Sequence, residues 1–362
     1  MGSAVSLAAG QKATINPEAA IFLGKIPRVP FASFLAPFLT GPRRIPGFRD
    51  RFKKVGTPIE ESIIAKYNLR VKRITIAEVS VVVVEPPHIE PDNTSKIILN
   101  IHGGAFVLGS ARDRTSLLMA AEMGIRVYSI DYSLSPEVRY PVARDQCLTV
   151  YRHLVRDFDP KDILGMGSSS GGQLILSMLL LAHREELPMP TALYLCTPAA
   201  DLSGDGDSMI VNAARDVMPT SFLAQMVRQN YANSEVDDRD ELYSPVFAHY
   251  EADFPPTIIT VGTRDCLLSS GVRLYWKLRA AGAKAELLIS EGMWHAFDWE
   301  TEMPEAVCTR AAVRTFLTEH TPHQHTTPDP ATADQTGTPP NAGAEQQAGS
   351  AGTGARAGTG RG

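Results

Sequence analysis

The chain has 362 residues, of which 44% are apolar and 21% are charged, and its formal net charge is −5. This length is enough for one large domain or two ordinary ones with a sizeable core, and the composition is typical of a globular protein. The small negative charge argues against a broad basic surface. We therefore expect no nucleic-acid partner.

The four cysteines are scattered along the chain and form no C-x-x-C pair: Cys147, Cys196, Cys266 and Cys308. Such thiols are typical of single buried side chains in a reducing compartment. The first 20 residues also lack the basic and long apolar regions of a secretory signal. Together these features predict a cytoplasmic location.

Residues 21–44 are rich in Phe and Leu but are interrupted by prolines and by basic residues such as Lys25 and Arg28. A membrane-spanning helix needs about 20 mostly apolar residues, so we expect no stable membrane insertion. An amphipathic lid is favoured over a membrane-surface contact. The phenylalanines of this segment are expected in the core of a cap, with the lining of an acyl groove as the alternative: Phe22, Phe31, Phe34 and Phe38.

Short apolar runs alternate with helical patterns between residues 69 and 318. The stretch "LRVKRITIAEVSVVVVEP" predicts two early strands. Compact runs without alternation predict strands that are buried on both faces of a parallel sheet: "KIILNIH", "RVYSIDY", "DILGMG", "TALYLCTP", "TIITVG" and "AELLIS". Helices are predicted at "SLLMAAEMG", "GGQLILSMLLLAHREE", "SGVRLYWKLRAAG" and "EAVCTRAAVRTFLTEH".

This alternation predicts an α/β fold with a mostly parallel central sheet, flanked by helices. Residues 1–65 and about 202–244 have no strand partners in the pattern, and we expect them to form a helical cap over the carboxyl ends of the strands. The core is then residues 66–319. Residues 320–362 are rich in Pro, Gly, Ala and Thr, which predicts a disordered tail.

The stretch "NIHGGAF" follows a predicted buried strand directly. Glycines let backbone amides approach a ligand closely, and preorganised N–H donors stabilise the oxyanion of acyl transfer. Gly103, Gly104 and Ala105 therefore form a candidate oxyanion loop. An ordinary glycine turn after a strand is the alternative.

Three serines stand in a row in "ILGMGSSSGGQLIL", between a predicted strand and a predicted helix. A sharp strand-to-helix turn of the form G-x-S-x-G exposes a serine as a nucleophile, because its small flanking residues let the turn close. Ser169 has glycine on both sides at the required spacing, Gly167 and Gly171, whereas Ser170, with Ser168 and Gly172 at that spacing, is the poorer alternative. Ser170, which is next in the chain, would add its backbone N–H to the oxyanion loop.

In this type of fold the acid and the base follow the nucleophile in the order Ser, Asp or Glu, His. Asp265 comes directly after "TIITVG", and His295 comes after "AELLIS". Seven of the other eight histidines lie in the predicted helices, the tail, the oxyanion loop or the region after the cap insertion. Asp298 is the rival acid, but it is so close to His295 in sequence that reaching around the imidazole would be difficult.

These motifs resemble the hormone-sensitive-lipase-like α/β-hydrolases, a family with many bacterial carboxylesterases. The similarity runs from about residue 70 to residue 317. The family's H-G-G-G-F corresponds to residues 102–106, D-Y-R-L-A-P-E to 131–137, G-D-S-A-G-G to 167–172, V-G-x-x-D-x-L to 261–267, and H-G-F to 295–297. The resemblance implies the α/β-hydrolase fold and an esterase with the triad Ser169, Asp265 and His295.

The chain departs from the family pattern at several positions. Ala105 replaces the third glycine of the oxyanion loop, and its methyl group is expected to restrict the groups that the site accepts. Ser168 and Ser170 flank the nucleophile in place of an acid and an alanine. Ser269 replaces the second acid of D-x-L-x-D, so the chain lacks the carboxylate that the family has at this position.

The expected activity is hydrolysis of small to medium carboxylic esters, including lactones or aryl esters, through an acyl-enzyme and without a metal or organic cofactor. A non-hydrolytic small-molecule receptor, a dehydratase and an amide or formamide hydrolase on the same scaffold are the alternatives. His295 argues against the receptor, and Ser169 argues against the dehydratase. The resemblance also allows a homodimer through the last strand and helix.

Overall fold

The computed structural model describes residues 7–26 and 31–321 of the chain. Nearly all of the predicted tail, residues 320–362, lies outside these described residues. Eight strands form one sheet: β1 (Arg70–Ile76), β2 (Val79–Glu85), β3 (Ile97–Ile101), β4 (Arg126–Asp131), β5 (Ile163–Ser168), β6 (Ala192–Cys196), β7 (Thr257–Gly262) and β8 (Ala285–Ser290).

The strand order in the sheet is β1-β2-β4-β3-β5-β6-β7-β8. β1 pairs antiparallel with β2, and β2 antiparallel with β4, whereas every later pair is parallel. The expected mostly parallel α/β sheet is therefore confirmed. All eight predicted strands are present. The expectation that "AELLIS" is buried on both faces is wrong, because β8 lies at the edge of the sheet and only Ala285 of its six residues is buried.

Eleven helices are described: α1 (Ala9–Lys12), α2 (Pro17–Lys25), α3 (Ala32–Leu39), α4 (Ile45–Tyr67), α5 (Arg114–Met123), α6 (Val142–Asp157), α7 (Ser170–Arg184), α8 (Ser208–Val211), α9 (Thr220–Met226), α10 (Leu268–Ala280) and α11 (Pro304–Glu319). α6, α7 and α10 pack on one face of the sheet. α5, α11 and the end of α4 pack on the other. None of the described helices has the length and apolar character needed to cross a lipid bilayer.

Two stretches contribute no strand to the sheet. The first is the N-terminal segment (residues 7–26 and 31–67), which contains α1–α4; the second is the β6–β7 segment (residues 197–256), which contains α8 and α9. They are joined by hydrogen bonds. The side-chain amide of Gln229 donates to the carbonyl of Pro37 at 3.0 Å, and that of Asn230 donates to the carbonyl of Thr40 at 2.8 Å.

The prediction that the phenylalanines of residues 21–44 lie in a buried core is wrong for three of the four. Phe31, Phe34 and Phe38 are 81%, 71% and 68% exposed. Phe34 and Phe38 lie on one face of α3, and Phe31 directly precedes the helix. Ala36, on the opposite face, and Thr40, directly after the helix, are buried. Phe22 is half-buried, and its ring stacks on Trp294 with 4.4 Å between ring centroids.

Cys308 also differs from the expectation. Cys147, Cys196 and Cys266 are buried free thiols, as predicted, but Cys308 is a free thiol that is exposed. It lies near the start of α11, beside the exposed Val307, on the side of the helix that does not contact the sheet.

Candidate active site

Ser169 lies in the turn between β5 and α7, with the strained backbone angles φ 53° and ψ −118°. A Cβ atom at Gly167 would come within 2.5 Å of the carbonyl oxygen of Gly171, and one at Gly171 within 1.9 Å of the carbonyl oxygen of Ile101. The two flanking glycines are therefore required by the close approach of backbone groups, which is the reason that the sequence motif predicts.

The imidazole of His295 lies between Ser169 and Asp265. Its Nε2 is 3.0 Å from Ser169 Oγ, and its Nδ1 is 3.0 Å from Asp265 Oδ1. An ionised carboxylate only accepts hydrogen bonds, so Nδ1 carries the proton and the lone pair of Nε2 faces the hydroxyl. All three side chains are buried.

The surroundings of His295 favour its charged form. Burial disfavours the imidazolium, but the Asp265 carboxylate opposes this by its charge and its hydrogen bond, and Asp216 and Asp298 add to it. The net effect raises the pKa of His295 above its usual value. The site can therefore stabilise a proton that the imidazole takes from the serine.

Asp298, the rival acid, points away from the imidazole. Its Oδ2 accepts hydrogen bonds from Tyr194 Oη at 2.7 Å and from Thr260 Oγ1. Its backbone carbonyl accepts from the buried guanidinium of Arg310 at 2.7 Å. Asp298 thus anchors the turn after His295 to the sheet.

The loop after β3 carries the predicted oxyanion donors. Gly104, Ala105 and Phe106 have positive φ angles of 122°, 53° and 64°. Within the described part of the chain, no acceptor is bonded to the amide N–H groups of Gly103, Gly104, Ala105 or Ser170. Ile101 pairs with Gly167 across the sheet, so the loop after β3 and the turn at Ser169 start side by side.

The other two serines of the triplet have different partners. Ser170 Oγ accepts from the amide of Phe106 at 3.3 Å, and Ser168 Oγ accepts from Trp299 Nε1 at 3.2 Å. Of the three hydroxyl groups, it is that of Ser169 that bonds to His295. This arrangement distinguishes Ser169 from Ser170 as the candidate nucleophile.

Ser269, which replaces an acid of the family pattern, joins α10 to α8. The amide of Ser208 donates to Ser269 Oγ at 3.0 Å, and the amide of Ser269 donates to Ser208 Oγ at 2.9 Å. Ser208 Oγ also donates to the carbonyl of Cys266, the residue after Asp265, at 2.6 Å. The β6–β7 segment is thus bonded to the loop beside Asp265, the candidate acid.

Asp216 is a site residue that no sequence pattern reveals. It is 5% exposed, and its carboxylate accepts hydrogen bonds from the backbone amides of Cys266 and His295. No local pattern marks it, because it lies in a charged stretch between two short helices, far in sequence from both partners.

A pocket of about 150 Å³ opens beside Ser169. Its apolar walls come largely from the β6–β7 segment, with Leu202, Met209, Leu223 and Val227. A smaller recess of about 80 Å³ lies along Gly103 and Trp299 and is bounded by Phe52 and Val55 of α4. The oxyanion loop contributes a wall to both spaces.

Two groups of side chains within the described residues bring potential metal-ligand atoms within 4.8 Å of one another. The first is Asp265, Cys266 and His295, where the carboxylate and the imidazole are already engaged in the hydrogen bonds described above. The second, His183, Glu251 and Asp253, is exposed on the surface.

Comparison with known proteins agrees with this geometry. A family model described as the alpha/beta hydrolase fold matches residues 98–298. An esterase of Acinetobacter venetianus is 32% identical over 230 residues, which are 62% of this chain and 76% of that protein. A putative acetyl-hydrolase, LipR, of Mycobacterium tuberculosis is 32% identical over 241 residues, 66% of this chain and 76% of that protein.

Solved structures extend the similarity to most of the chain. The crystal structure of an esterase, E25, superposes with a TM-score of 0.80 at 31% identity and covers 88% of this chain and 98% of that one. An esterase from the bacterial hormone-sensitive lipase family has a TM-score of 0.66 at 26% identity, covering 73% and 90%. Fold and relatives define a carboxylic ester hydrolase. The chain belongs to the hormone-sensitive-lipase-like family of α/β-hydrolases.

Proposed function

We propose that this ester hydrolase works through a Ser169–His295–Asp265 triad and an acyl-enzyme. The observation that carries the proposal is the pair of 3.0 Å contacts that His295 makes, with Ser169 Oγ through Nε2 and with Asp265 Oδ1 through Nδ1. His295 takes the proton of Ser169 as the hydroxyl attacks the ester carbonyl. Asp265 fixes the tautomer and stabilises the imidazolium.

The amides of Gly103, Gly104, Ala105 and Ser170 are proposed to bind the oxyanion. Their N–H groups have no bonded acceptor among the described residues, so they can donate to the tetrahedral intermediate without breaking existing bonds. His295 then gives its proton to the leaving alcohol. Water, activated by the same imidazole, releases the acid from Ser169.

We propose that the substrates are small to medium carboxylic esters. The pocket beside Ser169 is small and mostly apolar, and the recess at Trp299 offers room for the second half of an ester. Relatives named acetyl-hydrolase and ethyl acetate hydrolase support a short acyl group. We also propose that residues 1–65 and 202–244 act as the cap that limits this space.

Two further proposals concern the whole protein. The free thiols favour a reducing compartment, which supports a cytoplasmic location. Among the strands of the described residues, β8 is at the edge of the sheet and pairs with β7 alone, and this edge supports a homodimer through the last strand and helix.

The test of the triad compares Ser169→Ala with Ser170→Ala. A fluorophosphonate probe should label the wild type and the Ser170 variant but not the Ser169 variant. Ser169→Ala should lose the initial burst with p-nitrophenyl acetate and fall by about 10³-fold or more in kcat. A Ser169→Ala protein that keeps full turnover or the label would refute the assignment. A series from acetate to longer acyl esters then defines the chain length that the pocket accepts.

A further inference from the structure

Asp216 joins two loops that are far apart in sequence. Its Oδ2 accepts from the amide of Cys266 at 2.7 Å, and its Oδ1 accepts from the amide of His295 at 3.0 Å and from that of Val217 at 2.7 Å. Cys266 directly follows the proposed acid, and His295 is the proposed base. One buried carboxylate therefore holds the backbone at both positions.

The neighbours of Asp216 hold the same loop. The side-chain amide of Asn212 donates to the carbonyl of Asp265 at 2.9 Å and to that of Thr263 at 3.2 Å, and Arg264 Nε donates to the carbonyl of Arg215 at 3.1 Å. These contacts fix the loop after β7. The bond from the His295 amide to Asp216 then links the β6–β7 segment to the loop of the base as well.

Burying a negatively charged carboxylate at this position is energetically unfavourable, and a neutral oxygen could accept the same hydrogen bonds. Burial raises the pKa of Asp216, and the nearby charge of Asp265 raises it further, whereas His295 and the bonds from Cys266 and His295 amides lower it. The cost is offset most fully when the imidazole beside it is protonated. That state is the one that forms when the base has accepted a proton.

We propose that Asp216 is a positioning residue of the ester-hydrolysis reaction: it sets the distance between the loops of Asp265 and His295 and adds negative charge beside the imidazole. The inference rests on the proposed triad, whose members it aligns. Through Asp216, the β6–β7 segment then contributes to catalysis as well as lining the pocket.

Three carboxylates from different elements act on the charge of the imidazole. Asp265, in the loop after β7, bonds to Nδ1, and Asp216, in the β6–β7 segment, accepts the backbone amide of His295. Asp298 adds negative charge from its own turn although its carboxylate is bonded to Tyr194 and Thr260, and the neutral hydroxyl of Ser169 faces Nε2. Removing the charge of Asp216 should make the imidazolium less stable. The base then stays neutral to a lower pH, so the acid limb of the kcat/KM profile should move to lower pH.

The experiment compares Asp216→Asn with Asp237→Asn. Asp237 also lies in the β6–β7 segment and accepts a backbone hydrogen bond, from Arg239 at 2.9 Å, but it is exposed, and this bond is to a near neighbour in sequence rather than to a loop of the triad. Per fluorophosphonate-titrated site, Asp216→Asn should lose about 10- to 100-fold in kcat with little change in KM, because small misplacements of catalytic groups cost rates of this order. Its acid limb should shift to lower pH. Asp237→Asn should match the wild type in kcat per site and in the pH of the acid limb.

A purely structural role would lower the melting temperature or the number of titratable sites and leave kcat per site and the acid limb unchanged, and that result would overturn the proposal. If Asp216→Asn does not fold, Asp216→Ser provides the same test, since its hydroxyl accepts one N–H and leaves room for water. Ser169→Ala, measured in parallel, distinguishes failure of the proposed triad from failure of the proposed role of Asp216. If Ser169→Ala is active, the triad proposal is wrong. If Ser169→Ala is inactive and the Asp216 variant matches the wild type, only the role of Asp216 is refuted.

Discussion

At the scale of single residues, the charge state of His295, the proposed base, determines how the rate depends on pH. The base must be neutral to accept a proton, so the rate falls as the pH drops through the pKa of the imidazole. Because nearby carboxylates raise that pKa, the acid limb of kcat/KM should lie above the pH of about 6.5 at which an ordinary histidine titrates. A pH series with a soluble p-nitrophenyl ester gives the midpoint directly.

Asp265→Asn tests the largest source of that shift. The asparagine keeps the volume of the side chain but loses the charge and favours the wrong tautomer, so kcat should fall by an amount on the order of 10⁴. The acid limb should also move to lower pH. A variant whose rate falls while its acid limb stays at the wild-type pH would mean that Asp265 orients the imidazole without tuning it.

The sequence points to the three residues of the proposed triad because each follows a recognisable strand, and the fold fixes their order in the chain. Ser169 was further distinguished from Ser170 by the two glycines, and the clashes at Gly167 and Gly171 explain why. Asp216 was not predictable. Its role depends on bonds to residues 50 and 79 positions away, and no spacing rule links them.

At the scale of elements, the turn between β5 and α7 depends on contact with β3. A methyl group at Gly171 would lie 1.9 Å from the carbonyl oxygen of Ile101 and 2.7 Å from that of His102. Gly171→Ala must therefore push α7 away from β3, the strand that leads into the oxyanion loop. We expect the variant either to fold poorly or to lose probe labelling at Ser169 together with esterase activity.

Gly24→Ala is the matched control for this change. Gly24 is a helical glycine in α2, and nothing lies within 4 Å of the position its Cβ would take. Alanine is the better helix former, so this variant should unfold at the same or a slightly higher temperature. Wild-type labelling in Gly171→Ala would show that the turn tolerates a shift of the helix.

The elements of the sheet were more predictable than those around it. Buried strands show their burial as unbroken apolar runs, and β3, β6 and β7 match the runs within a residue or two. β8 also matches its run, but as an edge strand it is only partly buried. α6 is not among the predicted helices, although its buried face repeats at helical spacing through Cys147, Tyr151 and Leu154. α3 is apolar throughout, and only its packing against the β6–β7 segment determines which face is buried; sequence alone does not contain that information.

At the scale of the whole molecule, the N-terminal segment packs against the loop of His295, the proposed base. Ile15, Ala19 and Leu23 form a buried cluster with Met293, Trp294 and Phe297, which surround His295 in sequence. The amide of Asn16 also donates to Glu305 Oε1 at 2.7 Å. The N-terminal segment therefore packs directly on the residues that flank His295.

Leu23→Ala tests whether this packing matters for catalysis. Leu23 is fully buried, and truncating such a side chain costs about 2–5 kcal/mol of stability. Leu154→Ala, in α6 on the other side of the molecule, removes an equally buried leucine and should cost a similar amount. At a temperature where both variants remain folded, only Leu23→Ala should lower kcat and speed amide hydrogen exchange in residues 291–299. Equal kcat values in the two variants, with unchanged exchange in that loop, would limit the N-terminal segment to a general stabilising role.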